Sequence, residues 1–385
     1  MKLKREIEKQ LEEYRKSKEN KILFVWGPRR SGKTTILRKM AKEWGETVYN
    51  FDLETDREKF VTRREDLEKL VAKHKIIMID EVQNYPESTV VLKVLHDEYG
   101  IKIVATGSSE LRQKGETFDS LVGRFREIFC LPLSVFELKD NEIEKRLDLG
   151  LVWGGYPEVV AEKSEMARIE MLENIVSNYV LKDIVDIYDL KNAKLVRDLL
   201  TKVALQLGSE LSLRELANSL GTNAMTVANY LEILVKNYIV IPLPSFKTNL
   251  RRAVSENKKY YFWDLGLRNA LVSDFRPVKL RPDMGGIWEN WVVMEWEKQK
   301  RMRNLKLKAY FYREYGGREV DVIIEDYQKR YMAWEIKQKD GKVAKIFPLE
   351  HKVTVINREN AEAELTKVAR RRGGAGGKSG RDFGR

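Results

Sequence analysis

Cysteine is almost missing from this chain. The single thiol, Cys130, excludes an internal disulfide framework, and with only three histidines it leaves no Cys/His zinc cluster. Long apolar runs are missing too. None approaches the roughly 18 residues of a membrane span, and the opening MKLKREIEKQ lacks the apolar stretch of a secretion signal. The expectation is a soluble, cytoplasmic protein with no membrane partner. At 385 residues the chain is too long for one ordinary core, and about 150 residues per domain suggests two or three. Hydrophobic content of 43% and aromatic content of 10% suffice for packed cores and exclude a wholly disordered protein. A charged fraction of 34%, rich in Lys and Glu, leans toward a thermophile.

Lys and Arg number 71 against 59 Asp and Glu, a net charge of +12. Much of that excess sits at one end. From Val368 onward, Arg370, Arg371, Arg372, Lys378, Arg381 and Arg385 face only Asp382. This Gly/Arg-rich stretch has nothing to bury, so residues 368–385 are expected to be a disordered tail, either a solvated end or a nonspecific nucleic-acid arm.

Along the chain, Leu3, Ile7, Leu11 and Tyr14 share one helical face. Apolar runs at 22–26, 47–51, 75–80, 102–106 and 126–130 then alternate with charged helical stretches, the pattern of a parallel sheet covered by helices. Residues 134–206 read as amphipathic helices, the first opened by a Ser134/Glu137 capping box. Residues 207–266 read as helix, turn, helix and a two-stranded wing, a winged helix with Ser212 and Glu215 as a second box and Gly221 as the break. The region 267–367 reads as a helix over 287–303, strands AYFYR, EVDVIIE and YMAWEIK, a further helix, then strand KVTVIN.

Gly27-Pro28-Arg29-Arg30-Ser31-Gly32-Lys33-Thr34 fits GxxxxGK(S/T), between a strand and a helix that begins Thr34-Thr35. Its glycines let backbone N–H groups curl around phosphate oxygens, with the helix N-terminus behind them. Lys33 would reach the β- and γ-phosphates of ATP, and Thr34 would ligate Mg2+. The strand IIMID ends in Asp80 and Glu81, placing one acid for the Mg2+ shell and one to take a proton from attacking water. KIVAT brings Thr106, followed by Gly107, Ser108 and Ser109, to where a hydroxyl could sense the γ-phosphate.

GPRRSGKTT, MIDEVQNYPE, ATGSSELR, GRFREIFCLPLSVFEL and GGYPEVV, in this order, resemble the archaeal and bacterial P-loop ATPases of the AAA/STAND type. YYFWDLGLRNAL, GGIWENWVVMEW and REVDVIIE…AWEIK extend the resemblance to about residue 360. It implies an α/β multidomain protein: a P-loop NTPase core with a parallel sheet over 1–133, a helical lid over 134–206, the winged helix, and an αβββαβ domain like restriction endonucleases of the PD-(D/E)XK type. ATP hydrolysis with Mg2+ follows from it, and nucleotide-dependent homo-oligomerisation is compatible with it. Carried over, Arg124 falls where an arginine contacts the γ-phosphate in cis or from a neighbouring subunit, and Pro157 matches a lid motif.

Two further constellations stand out. Thr222, Asn223, Thr226 and Asn229 head the second winged-helix helix, and Lys247, Arg251, Arg252, Lys258 and Lys259 lie on or near the wing, so they are candidates for DNA contact. Asp321 on one strand and Glu335 and Lys337 on the next could share a divalent metal, with Glu289, by resemblance, as an additional acid. The reading is therefore an ATPase coupled to DNA binding or processing, with a possible nuclease site. The alternative is a nucleotide-dependent regulatory switch whose later domains are interaction modules.

Overall fold

The computed structural model describes residues 3–107, 119–187, 190, 192–247, 258–314, 317–339 and 346–370. It separates into two compact units, Met1–Leu133 and Ser134–Arg385.

The first unit runs α1 (Glu6–Lys16), β1 (Ile22–Trp26), α2 (Lys33–Trp44), β2 (Val48–Asn50), α3 (Glu54–Arg57), α4 (Arg64–Lys73), β3 (Ile76–Asp80), α5 (Ser88–Asp97), β4 (Lys102–Gly107) and β5 (Phe125–Phe129). Its strands form one parallel sheet in the order β2-β3-β4-β1-β5, the plan of a P-loop NTPase core. β1 and β3 are buried at every position, as continuous apolar strands covered on both faces must be. α1 packs Ile7, Leu11 and Tyr14 against Leu23, Val25, Met40 and Val104, whereas Leu3 precedes the helix. Because the sheet is parallel, the C-terminal ends of β1, β3 and β4 share one edge. β4 lies between the other two, with Gly107 beside Trp26 and Ala105 beside Ile79.

The second unit opens with α6 (Val135–Asp140), α7 (Arg146–Val152), α8 (Pro157–Ala161) and α9 (Glu165–Asn174). A π-helical stretch (Ile175–Asp183), α10 (Ile184–Ile187) and α11 (Ala193–Leu205) follow. The capping box is present: Ser134 N donates to Glu137 Oε2 at 3.0 Å, and Glu137 N donates to Ser134 Oγ at 3.3 Å. Next come β6 (Glu210–Leu211), α12 (Leu213–Leu220), α13 (Ala224–Lys236), β7 (Val240–Pro244) and β8 (Lys258–Phe262). Their strands make an antiparallel sheet in the order β6-β8-β7. Ser212 caps α12, and Gly221 ends it in the left-handed region.

The remaining elements are α14 (Leu265–Leu271), α15 (Met284–Met302), β9 (Lys308–Arg313), β10 (Glu319–Glu325), β11 (Tyr331–Ile336), β12 (His351–Ile356) and α16 (Ala361–Arg370). Their sheet is ordered β12-β11-β10-β9; β10 is antiparallel to both neighbours, and β11 and β12 are parallel. The helix expected between β11 and β12 falls on a connection whose middle, 340–345, lies outside the described residues. Past it, Phe347 joins the core of this sheet. The tail begins later than expected, since α16 continues to Arg370 and buries Val368; residues 371–385 lie outside the described residues.

The line drawn at 266/267 crosses shared packing. Phe246, just past β7, donates its N–H to Phe311 of β9 at 2.7 Å and joins a core with Val320, Ile323, Ala333 and Phe347. At the other stem, the Asn290 amide of α15 accepts from Phe262 N at 2.7 Å and donates to Phe262 O at 2.9 Å.

Candidate functional site

The loop after β1 is built for close backbone approach. A Cβ on Gly27 would meet the carbonyl oxygen of Cys130 at 1.9 Å, so only glycine fits beside that strand. Gly32 caps α2 at φ 98°, turning the loop into the helix. Ser31 is buried, and its hydroxyl donates to Pro28 O at 2.9 Å. From α1's N-terminus, buried Arg5 donates to Ser31 O at 2.8 Å and to Leu131 O at 2.5 Å, bracing the loop from behind. Lys33, 5% exposed, donates to the carbonyls of Gly27 at 3.0 Å and Pro28 at 2.9 Å. Burial pulls its pKa down, while Glu81, Cys130 and Asp80 pull it back up. Thr34 is half-buried; Arg29, Arg30 and Thr35 are exposed.

Across the same edge, Asp80 is buried and its Oδ1 accepts the hydroxyl of Thr106, which in turn accepts from Glu81 N at 3.3 Å. The Thr106 hydroxyl thus links the two acids. Ser108 and Ser109 lie outside the described residues. Glu81 sits at φ 53°, a left-handed conformation that costs a non-glycine residue free energy and is held by its surroundings. Gln83 donates to its Oε2 at 2.5 Å.

The second unit carries a separate cluster. Glu289 of α15 and Glu319 and Asp321 of β10 each bring a carboxylate oxygen within 4.8 Å of the others. Residues 319 and 321 share a face by strand alternation. Asp321 precedes Val322, which pairs with Trp334, so it lies across from Glu335. Asp321 accepts Ile336 N at 2.6 Å, and Glu335 faces Lys337 at 4.0 Å. Glu335, however, is not among the three that converge. Between the converging acids is a cation: Lys259 of β8, 1% exposed, donates to Glu289 at 3.0 Å and also to Glu319. Tyr261 donates to Glu289 at 2.5 Å. Burial and the neighbouring Glu289 push the Asp321 carboxyl up to about 7, and burial also raises Glu335. For Lys259, burial acts downward, but Glu289 and Glu319 outweigh it and hold the ammonium above its usual range.

Comparison with known proteins bears on the first of these sites. Residues 19–139 match the AAA domain family. The first unit carries a P-loop domain of the AAA type. Residues 144–278 and 284–362 of the second unit match two domains of unknown function, DUF8612 and DUF4143. An uncharacterised Mycobacterium tuberculosis protein is 25% identical over 324 residues, covering 82% of this chain and 70% of that protein. One from Methanocaldococcus jannaschii is 25% identical over 334 residues, covering 79% and 72%. Among solved structures, the Thermotoga maritima RuvB Holliday junction branch migration motor is 17% identical, covers 62% of this chain and 89% of that one, and has a TM-score of 0.31.

In the AAA-type domain, Arg124 lies away from the phosphate loop. It precedes β5, and its carbonyl accepts from Ile22 N at the opposite edge of the sheet. Four strand residues, roughly 13 Å, separate that level from Trp26. The guanidinium instead pairs with Asp97 at 2.8 Å. Its position at the far end of the sheet and its pairing with Asp97 give it no contact with the phosphate loop of its own chain in this structure. Pro157, carried over as a lid residue, occupies the first turn of α8, where a missing N–H costs nothing. Its motif is held within its own unit: Gly155 N donates to buried Asp264 at 2.6 Å.

Of the DNA candidates, Asn223 caps α13 by accepting from Thr226 N at 2.9 Å, and Asn223 and Asn229 are exposed. Thr222, Thr226 and Lys247 are half-buried; Arg251 and Arg252 lie outside the described residues. Lys259 is corrected from a wing residue to a buried ion-pair partner. Sequence reading missed Gln83, Arg5, Tyr261 and Glu319. Only Glu319 had a local signal, its alternation with Asp321 along one strand face.

Proposed function

We propose that this chain is a Mg2+-dependent ATPase coupled to DNA binding. The observation that carries it is the convergence at one sheet edge of the Gly27–Thr34 loop, buried Lys33, and Asp80 and Glu81 held by Thr106 and Gln83. Loop N–H groups and the N-terminus of α2 cradle the phosphates. Lys33 exchanges the carbonyls of Gly27 and Pro28 for phosphate oxygens, trading neutral acceptors for charged ones. Thr34 and Asp80 offer the hard oxygen donors that suit Mg2+, which when bound neutralises charge on the β- and γ-phosphates. Glu81 takes the proton of the attacking water, with Gln83 fixing the carboxylate. Phosphate release by the purified chain tests this: Lys33→Ala should abolish it, and Glu81→Gln should retain bound ATP. Equal turnover in all three proteins refutes the assignment.

The DNA component rests on α12, α13 and the sheet β6-β8-β7, an arrangement like a winged helix, with Asn223 and Asn229 exposed on the second helix. The elements from α15 to β12 resemble a PD-(D/E)XK fold. Replacing Lys247, Arg251 and Arg252 together by Ala should weaken duplex binding and flatten its salt dependence by about one unit per lost phosphate contact. The regulatory alternative draws on the ion-paired acidic cluster, which suits an interaction module. DNA-stimulated hydrolysis supports the first reading; slow turnover with tightly held nucleotide and nucleotide-dependent assembly supports the second.

A further inference from the structure

A nuclease of the resembled type would hold a divalent metal among Asp321, Glu335 and neighbouring acids. The residues present do not fit one. The three carboxylates that converge are Glu289, Glu319 and Asp321, and the space a shared cation would take is next to the ammonium of Lys259, bonded to two of them. Metal coordination needs carboxylate oxygens at about 2.0–2.6 Å from the ion. An ion that close to the oxygens holding Lys259 would face its positive charge at nearly the same distance, without water between them to screen it.

The lysine has nowhere else to go. It is 1% exposed, and its ammonium lies 5.5 Å from the centre of the Phe311 ring, itself 1% exposed. Its strand is fastened to α15 through the paired amide bonds of Asn290 to Phe262, while Tyr261 donates to Glu289 beside it. From a third direction, Gly208 comes so near Glu289 that a Cβ would stand 2.6 Å from its Oε2. Glu319 also accepts from Arg313 at 2.8 Å, and Asp321 already receives the N–H of Ile336. Each converging acid thus has protein donors on its oxygens, which is the arrangement of an ion-pair network closed by side chains.

We propose that the cation of this C-terminal cluster is Lys259 itself, and that it excludes divalent metal, leaving a domain of nuclease-like plan without metal-dependent cleavage. The proposal concerns the second unit alone and is independent of nucleotide.

Uptake of Mn2+ by the full chain without nucleotide, followed by the paramagnetic resonance of the free ion, tests it. Wild type and Asp321→Asn should take up Mn2+ equally, whatever the first unit contributes. Lys259→Met should bind one further equivalent, at least tenfold more tightly than wild type at that site, and Lys259→Met with Asp321→Asn should lose it. Uptake by wild type that Asp321→Asn abolishes overturns the proposal, as does a folded Lys259→Met chain with no additional uptake. Should Lys259→Met fail to fold, the wild-type and Asp321→Asn comparison decides alone. Incubation of supercoiled plasmid with wild type and Mn2+ should leave it intact; nicking that Asp321→Asn removes overturns the proposal too.

Discussion

Lys33 and Lys259 are both buried, both near carboxylates, and held in opposite ways. Lys33 donates to two backbone carbonyls, Gly27 and Pro28, and its acids Asp80 and Glu81 are engaged by Thr106 and Gln83 rather than by the ammonium. Lys259 is bonded directly to Glu289 and Glu319. On the proposed function, the first lysine keeps its charge for an incoming anion, because neutral carbonyls yield readily to phosphate. The second has spent its charge within the protein. The same residue types therefore bond to neutral carbonyls in one unit and close an ion-pair network in the other.

The largest effect that would sharpen this contrast is on hydrolysis. Lys33→Ala should lower ATP turnover by about two orders of magnitude or more, with the melting of the second unit unchanged in a calorimeter. Conversely, Lys259→Met should leave Lys33-dependent turnover in place and destabilise the second unit by about 3–5 kcal/mol, the usual cost of removing one member of a buried ion pair. Comparable loss of turnover in both would break the comparison. Arg5→Ala removes a brace on Ser31 O and Leu131 O and should cost the first unit about 1–3 kcal/mol, with weaker nucleotide binding seen in the same calorimetric series.

A smaller effect is expected from pH. The Asp321 carboxyl is raised from 3.8 to about 7, chiefly by burial and then by Glu289. The folded unit therefore keeps a proton that the unfolded chain releases above about 4, so this contribution to stability is full below that pH and lost as pH rises through about 7. Between pH 5 and 8 the melting temperature of the second unit should fall, and Asp321→Asn should flatten that slope. Least of all, Arg124→Ala should leave turnover of isolated monomers unchanged; a loss confined to assembled protein would place this arginine in a neighbouring subunit's site.

The candidate nucleotide site was legible because its parts are local. A glycine loop between an apolar strand and a helix, and a strand ending in Asp80-Glu81, fix their own geometry, and the parallel sheet brings their ends together. What stayed hidden was pairing at a distance. Lys259 follows Lys258 next to a basic loop, and nothing nearby in sequence separates the half-buried one from the one that bonds Glu319, sixty residues away. The Thr106 hydroxyl pointed to phosphate by its place at the C-terminal end of β4, but its bond to Asp80 depends on β3 and β4 being neighbours. For Arg124, a motif records order and not which end of the strand a residue occupies, here the end paired with Ile22.

The anchoring of both wing stems has a practical meaning for truncation and domain exchange. Separate sequence families cover 144–278 and 284–362, which invites a cut between them. Such a cut would strip Phe246 from the core of β10 and β11 and leave Glu289 and Glu319 facing each other without their cation. The two segments are inherited as units of sequence, yet they fold as halves of one object, and a fragment intended to isolate either should carry both.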